Sequence, residues 1–295
     1  MNRIASVLFA ALTLCTVRAE ACSCSGQGPA SALTRPDQKW GLRLSERLVL
    51  GQGAFNAHGR YQAFAPNERD RSQEFALLFA YRSERMELSA VGGYGARSVA
   101  LSTSAERNAG FADTLLRMRY EAAEEPSPWE SSVFPSLAML ATLRLPSASA
   151  EGLAPRGLGT TEFALGVSLE RSFGPKLRAG LWAEFAGRLP DTTFGYARVL
   201  GPRASAEGTL SYFATPDLVL SALISTRWEG NVRVQQRYLS GTAQRLTEIG
   251  AVISFQPWAS PLRAGFAQRY TPPIDNLSAN VLAAFSSEFW IGYVR

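Results

Sequence analysis

The sequence predicts an all-β chain, a transmembrane antiparallel up-and-down β-barrel of about 12 strands (12–14) behind a cleaved signal peptide. Three observations predict it. From residue 38 onward, segments of about ten residues alternate apolar and polar side chains with a period of two, which marks strands with one apolar and one polar face. The connections between these segments alternate between short and long. Aromatic residues sit near segment ends on the apolar face (Trp40, Tyr81, Tyr94, Tyr120, Trp228, Tyr270 and Tyr293), as an interfacial girdle would.

The start of the chain reads as a secretory signal over residues 1–21. Asn2-Arg3 form a basic lead, Ile4 to Val17 an apolar run too short to span a bilayer comfortably, and Ala19-Glu20-Ala21 a small-residue cleavage site. Residues 22–37 form a flexible periplasmic segment rich in Gly, Ser and Pro, and residues 38–295 the barrel. Cys15 leaves with the signal. Cys22 and Cys24 are weak metal or redox candidates: two thiolates supply half of a soft-metal site, and no His or further Cys follows closely to complete it. A lipidated Cys22 and a plain tethered terminus are the other readings of this tip.

The strands follow in order. Trp40, Leu42, Leu44, Leu48 and Leu50 alternate with Arg43, Ser45 and Arg47. Residues 51–72 are Gly-rich and then charged. Phe75, Leu77, Phe79 and Tyr81 oppose Glu74, Ala76, Leu78 and Arg82; after a turn at Ser83-Glu84, Met86, Leu88, Ala90 and Tyr94 oppose Glu87, Ser89, Val91 and Arg97. The stretch Gly110 to Tyr120 sets Thr114, Leu116, Met118 and Tyr120 against Asp113, Leu115, Arg117, Arg119 and Glu121. Its return limb, Val133 to Leu145, sets apolar positions against Ser136, Thr142 and Arg144. Later segments repeat the scheme around Phe163–Leu169, Leu177–Phe185, Leu210–Tyr212, Leu218–Trp228, Ile249–Phe255, Leu262–Tyr270 and Val281–Tyr293.

Short turns fall at 83–84, 174–175, 214–217 and 257–261, and long connections at 98–110, 146–160, 189–202, 229–245 and 271–279, with 122–131 of medium length. Taking 51–72 as one outer loop gives about twelve strands; a separate strand over 54–64 needs a partner and gives about fourteen. A secreted β-sandwich also has strands with one polar face, but its strands are usually shorter and carry no girdle.

In a membrane barrel the polar face lines the lumen. The lumen-lining candidates are Asp113, Arg117, Arg119, Glu121, Arg144, Arg178, Glu184, Glu207 and Arg227. Arginines and carboxylates nearly balance on this face, which suits cross-strand pairs that brace the wall and narrow the bore more than a pore of one sign. The formal charge is +5, and its positive side is almost all Arg, with Lys only at 39 and 176. These Arg are spread along alternating segments without forming one basic patch, which argues against nucleic acid as a partner. The partners expected are membrane lipid and a small-molecule solute, with no cofactor. No feature of the sequence sets an oligomeric state. His58, the one histidine, lies in the Gly-rich segment with no nucleophile or acid at readable spacing, so no catalytic residue is assigned. Gly51-Gln52-Gly53 is too short to cradle phosphate and opens no helix.

Gly110-Phe111-Ala112-Asp113-Thr114-Leu115-Leu116-Arg117-Met118-Arg119-Tyr120, then Leu143-Arg144-Leu145-Pro146 and Gly157-Leu158-Gly159, resembles the outer-membrane transporter-like family of the MetA pathway of phenol degradation. Ala112 stands where that family usually has Gly, and Ser147-Ala148 where it has Thr-Gly. The resemblance implies an outer-membrane barrel serving as a channel for small, often hydrophobic or aromatic, compounds, and brings no binding residues with it. The function expected is therefore a porin-like channel or transporter in the outer membrane of a Gram-negative-type bacterium, with a narrow charge-balanced lumen. A non-transporting scaffold barrel is the alternative, and an outer-membrane hydrolase built on His58 a more remote one.

Overall fold

The computed structural model describes residues 38–101, 104–123, 135–147, 157–193, 196–215, 217–257 and 260–295. The signal segment, residues 22–37 and the Cys22/Cys24 tip lie outside the described residues.

Twelve antiparallel strands form the wall: β1 (Trp40–Phe55), β2 (Arg69–Ser83), β3 (Met86–Leu101), β4 (Thr114–Ala123), β5 (Ser136–Leu145), β6 (Glu162–Ser172), β7 (Leu177–Arg188), β8 (Arg203–Phe213), β9 (Leu218–Glu229), β10 (Gln244–Phe255), β11 (Leu262–Tyr270) and β12 (Val281–Val294). Each pairs with its neighbours in sequence, and β12 pairs with β1 from Gly41↔Val294 to Phe55↔Val281, so the sheet closes and leaves no edge in the wall. No helix occurs among the described residues.

Side-chain burial is inverted relative to a water-soluble sandwich. Outward positions are apolar and exposed, among them Leu77, Phe163, Leu165 (73%), Leu181 and Phe289. Inward positions are buried and charged, among them Glu162 (1%), Arg97, Arg203 and Glu229. A belt of exposed apolar side chains around the whole wall far exceeds the few hundred Å² that soluble proteins tolerate, so its solvent is lipid.

The two ends differ as the connection lengths predict. At one end β2–β3, β6–β7, β8–β9 and β10–β11 are joined by tight hairpins, and both ends of the wall meet there: Lys39 and Trp40 donate backbone N–H groups to the Arg295 carbonyl at 2.7 and 2.9 Å. Trp40 and Tyr293 stack there with ring centroids 5.3 Å apart, part of the girdle on that side. By the rule for this class that end is periplasmic and the long-loop end is outside.

Two sequence expectations shift at the outer rim. The first strand runs on to Phe55 through a register shift between Gly51 and Gly53, and Tyr61–Ala63 folds back on it. This short segment adds a hairpin arm without a place in the closed circuit, so the count is twelve and not fourteen. The connection expected at 98–110 is itself largely strand. Ser104–Phe111 pairs with the outer part of β3, and β4 begins only at Thr114. Gly110 and Phe111 thus end a hairpin instead of opening a wall strand, because Arg107, Ala109 and Phe111 continue the two-residue alternation backwards.

The outer connections also carry structure of their own. Asp191–Thr193, Tyr196–Val199, Arg233–Val234 and Arg237–Tyr238 form a four-stranded sheet from the β7–β8 and β9–β10 loops. Leu158, Leu200 and Val232, from three different loops, bury one another beside it. Gly201 makes this approach possible: a Cβ there would sit 2.2 Å from the Gly230 carbonyl oxygen.

Candidate functional site

The inward face of β4–β9 carries a continuous polar network in the outer half of the lumen. It begins with register. Arg144, Glu162 and Arg188 lie directly opposite one another on β5, β6 and β7, and Arg203 lies opposite Glu229 on β8 and β9. Placing acid and base in one cross-strand row makes pairing the default. The bonds then extend beyond nearest neighbours. Arg188 donates to Glu162 and to Glu229, both at 2.7 Å, and Arg203 donates to Glu162 at 2.9 Å and to Glu184 at 2.6 Å. Arg144 lies 3.6 Å from Glu162 and Arg227 lies 3.4 Å from Glu229. Thr142 donates to Glu184 at 3.3 Å and receives Arg117 at 3.3 Å.

A second arc lies toward the periplasmic end. Arg82 reaches Glu87 at 3.1 Å and Glu121 at 3.5 Å; Arg119 lies 3.6 Å from Glu121 and 3.8 Å from Glu170; Arg178 lies 3.8 Å from the other Glu170 oxygen. The seam between β12 and β1 is filled by Arg43, which meets Glu288 at 3.0 Å and lies over the Trp290 ring at 4.3 Å. One bond reaches further round the inside: Arg269 on β11 donates to Glu207 on β8 at 2.9 Å.

Between these groups lies an interior space bordered by Arg117, Arg144, Trp182, Arg203, Arg227 and Glu248 among others. A second space on its periplasmic side shares Trp182 and Glu207, and a third against β1 and β2 shares Arg227 and Glu248. Arginine outnumbers glutamate in the lining of the first, with Arg117, Arg144, Arg203, Arg227 and Arg269 against Glu184, Glu207 and Glu248.

Of the residues singled out from the sequence, Arg119, Arg144, Glu184, Glu207 and Arg227 are buried on the inward face, while Arg117, Glu121 and Arg178 are inward and half-buried. The structure groups Arg117, Arg144, Glu184, Glu207 and Arg227 around the first of these spaces; Arg119, Glu121 and Arg178 belong to the periplasmic arc. Asp113 stands apart. It sits in the link before β4, where its carboxylate accepts the Leu158 backbone N–H at 2.9 Å and ties down the β5–β6 loop. Arg198 holds the other side of that loop, donating to the Leu158 carbonyl at 2.8 Å while it pairs with Asp191. His58 is exposed in the turn after β1, its backbone N–H bonded to Asn56.

Sequence reasoning missed Arg203 and Trp182. Arg203 lies between the connection read at 189–202 and the strand read around Leu210–Tyr212, and no segment claimed it, since β8 has only Ala204, Ala206 and Gly208 on its outer face there. The period-two row Arg203, Ser205, Glu207, Thr209 and Ser211 was the available signal. Trp182 is an aromatic on the polar face, and its in-phase position between Arg178 and Glu184 was the signal.

No family model and no curated protein matches the chain. Among solved structures, it is similar to the COG4313 outer membrane channel from Pseudomonas putida F1, with a TM-score of 0.75 and 14% identity over 90% of this chain and 99% of that one. It is also similar to the NanC porin, with a TM-score of 0.51 and 10% identity over 86% of this chain and 98% of that one. At these identities the likeness shows the fold.

Proposed function

We propose that the chain is an outer-membrane channel that passes small solutes through a narrow, charge-lined lumen. The observation that carries this reading is an interior space inside a closed barrel, lined by paired arginines and glutamates. A barrel of about twelve strands is wider than those filled entirely by their own side chains and narrower than the large porins. The fold similarity to an outer membrane channel supports both the location and the activity. The paired charges reduce the free bore and keep its wall rigid, while the unequal Arg and Glu counts leave cationic surface for a passing solute. The resemblance to the phenol-degradation transporter-like family supports small hydrophobic or aromatic compounds as the cargo. Trp182 offers such a compound an aromatic surface within the lining.

Purified protein in planar bilayers is expected to give discrete conductance steps, and liposomes carrying it to take up small solutes. A reconstituted barrel that stays silent and impermeable would favour the scaffold reading.

A further inference from the structure

The outer face of the barrel carries a cationic cluster that the lumen does not use. On β2, β3 and the Ser104–Phe111 strand, cross-strand register builds successive rows of outward side chains. Phe75, Tyr94 and Phe111 form one row, all exposed, with the Tyr94 and Phe111 rings edge to face at 5.6 Å. Above it come Gln73, Ala96 and Ala109, then Arg71, Ser98 and Arg107, and last Arg69, Ala100 and Ala105. Arg71 and Arg107 therefore flank a single serine, about 10 Å apart at strand spacing, with Arg69 one row further out. Small side chains leave the floor between the three guanidiniums open.

All three arginines are exposed, and none has an ion pair or hydrogen bond among the described residues. The neighbouring acids are occupied or point elsewhere. Glu74 and Glu106 face inward, Glu68 accepts the Ala65 N–H, and the outward Glu46 accepts from Gln73 nearer the membrane centre.

Depth fixes what this cluster meets. Arg71 lies ten residues along β2 from Tyr81, which belongs to the periplasmic girdle. At roughly 3.3 Å per residue and about 40° of tilt, that is about 25 Å of membrane depth, the height of the apolar belt. The three guanidiniums thus sit at the outer interface, directly above an aromatic row that faces the acyl chains. Arginine forks there match phosphate oxygens, and no carboxylate among the described residues pairs with them.

We propose that Arg69, Arg71 and Arg107 form a binding site for the phosphate groups of an outer-leaflet glycolipid, whose acyl chains lie along Phe75, Tyr94 and Phe111. The assignment rests on the membrane placement of the barrel and not on transport, so a silent barrel that still binds the lipid would separate the two readings.

The test uses the full-length protein in zwitterionic micelles, with diphosphoryl lipid A as the probe and barrel folding checked by heat-modifiable gel migration. Arg71→Gln/Arg107→Gln should weaken lipid A binding by about tenfold or more, and Arg237→Gln, an exposed loop arginine, should leave it unchanged. Monophosphoryl lipid A should bind more weakly than the diphosphoryl form to the wild type. Equal binding by the double variant would overturn the site, and so would wild-type binding no tighter than to a zwitterionic lipid. Competition by inorganic phosphate at the same concentration as lipid A would make it a free-anion site and sink the lipid assignment.

Discussion

Arg269 and Glu207 are joined at 2.9 Å although β9 and β10 separate their strands in the wall, so the pair spans the inside of the barrel. Both side chains are almost fully shielded from water, at 8% and 3% exposure. Removing one partner leaves the other charge buried, which typically costs about 3–5 kcal/mol, whereas replacing both with apolar residues of similar volume is often neutral. Arg269→Ala should therefore lower resistance to denaturant sharply, and Arg269→Met/Glu207→Leu should restore most of it. Unfolding followed by tryptophan fluorescence in detergent measures both. A double variant no more stable than the single one would show that the pair acts through other contacts.

Not all of the ion pairs are equivalent. Glu162 receives two arginines at 2.9 Å or less and lies 3.6 Å from a third, in a nearly water-free position, while Arg178 and Glu170 meet at 3.8 Å with about a quarter of each side chain exposed. Glu162→Ala takes a buried carboxylate from Arg144, Arg188 and Arg203 at once, leaving Arg188 with Glu229 and Arg203 with Glu184, and should destabilise by about 3 kcal/mol. Glu170→Ala should cost about 1 kcal/mol or less. Denaturant midpoints of the two variants, read side by side, check the contrast.

Most of the architecture was legible because a two-residue period reports which face a side chain takes, and that period survives in nearly every strand from Trp40 to Tyr293. Arg144, Glu162 and Arg188 could be placed inside on this ground alone. Pairing beyond the nearest strand was not legible. Nothing in the sequence says that Arg203 spans from β8 to Glu162 on β6, because this depends on barrel curvature bringing non-adjacent strands within reach. Asp113 shows the opposite failure. Its phase matched the β4 row, but Ala112-Asp113 is a break between two strands, and its carboxylate is spent on a loop backbone N–H.

Gly265 illustrates a constraint invisible to alternation. A Cβ at this position would lie 2.4 Å from the Trp290 ring, which packs inside the wall beneath Arg43. Gly265→Val should impair barrel assembly, since overpacking of this kind costs about 1–3 kcal/mol or more. Combining it with Trp290→Ala should return folding by making room. The fraction of heat-modifiable, folded species on a gel is the readout, and an unaffected Gly265→Val would show that the ring swings aside.

The interior space between Arg117 and Arg227 is lined by five arginines and three glutamates. Arg117 is among the less buried of them, hydrogen-bonded to the neutral Thr142. Arg117→Glu should move the reversal potential in a salt gradient toward cation preference, because rings and rows of fixed charge set the sign of permeant ions. An unchanged reversal potential alongside normal conductance would place the ion path elsewhere in the lumen.

Glu46 faces outward on β1 between Leu44 and Leu48, opposite Phe75 on one side and Phe289 on the other. Six residues separate it from Trp40, about 20 Å along the strand and about 15 Å in depth, which falls inside an apolar belt of about 25 Å. Its only outward polar neighbour with a described bond is Gln73, which donates at 2.6 Å and partly offsets the cost of a carboxyl group in that setting. Acidic side chains on the lipid face are destabilising, though less than the about 2–4 kcal/mol found for Arg and Lys at the midplane. Glu46→Leu should therefore stabilise the barrel in lipid by about 1–2 kcal/mol, and Glu46→Leu/Gln73→Leu by more, since the single change leaves the amide without its acceptor. Unfolding in phospholipid vesicles measures this directly. Loss of stability in both variants would show that the pair serves a contact on the outer face that outweighs its cost in lipid.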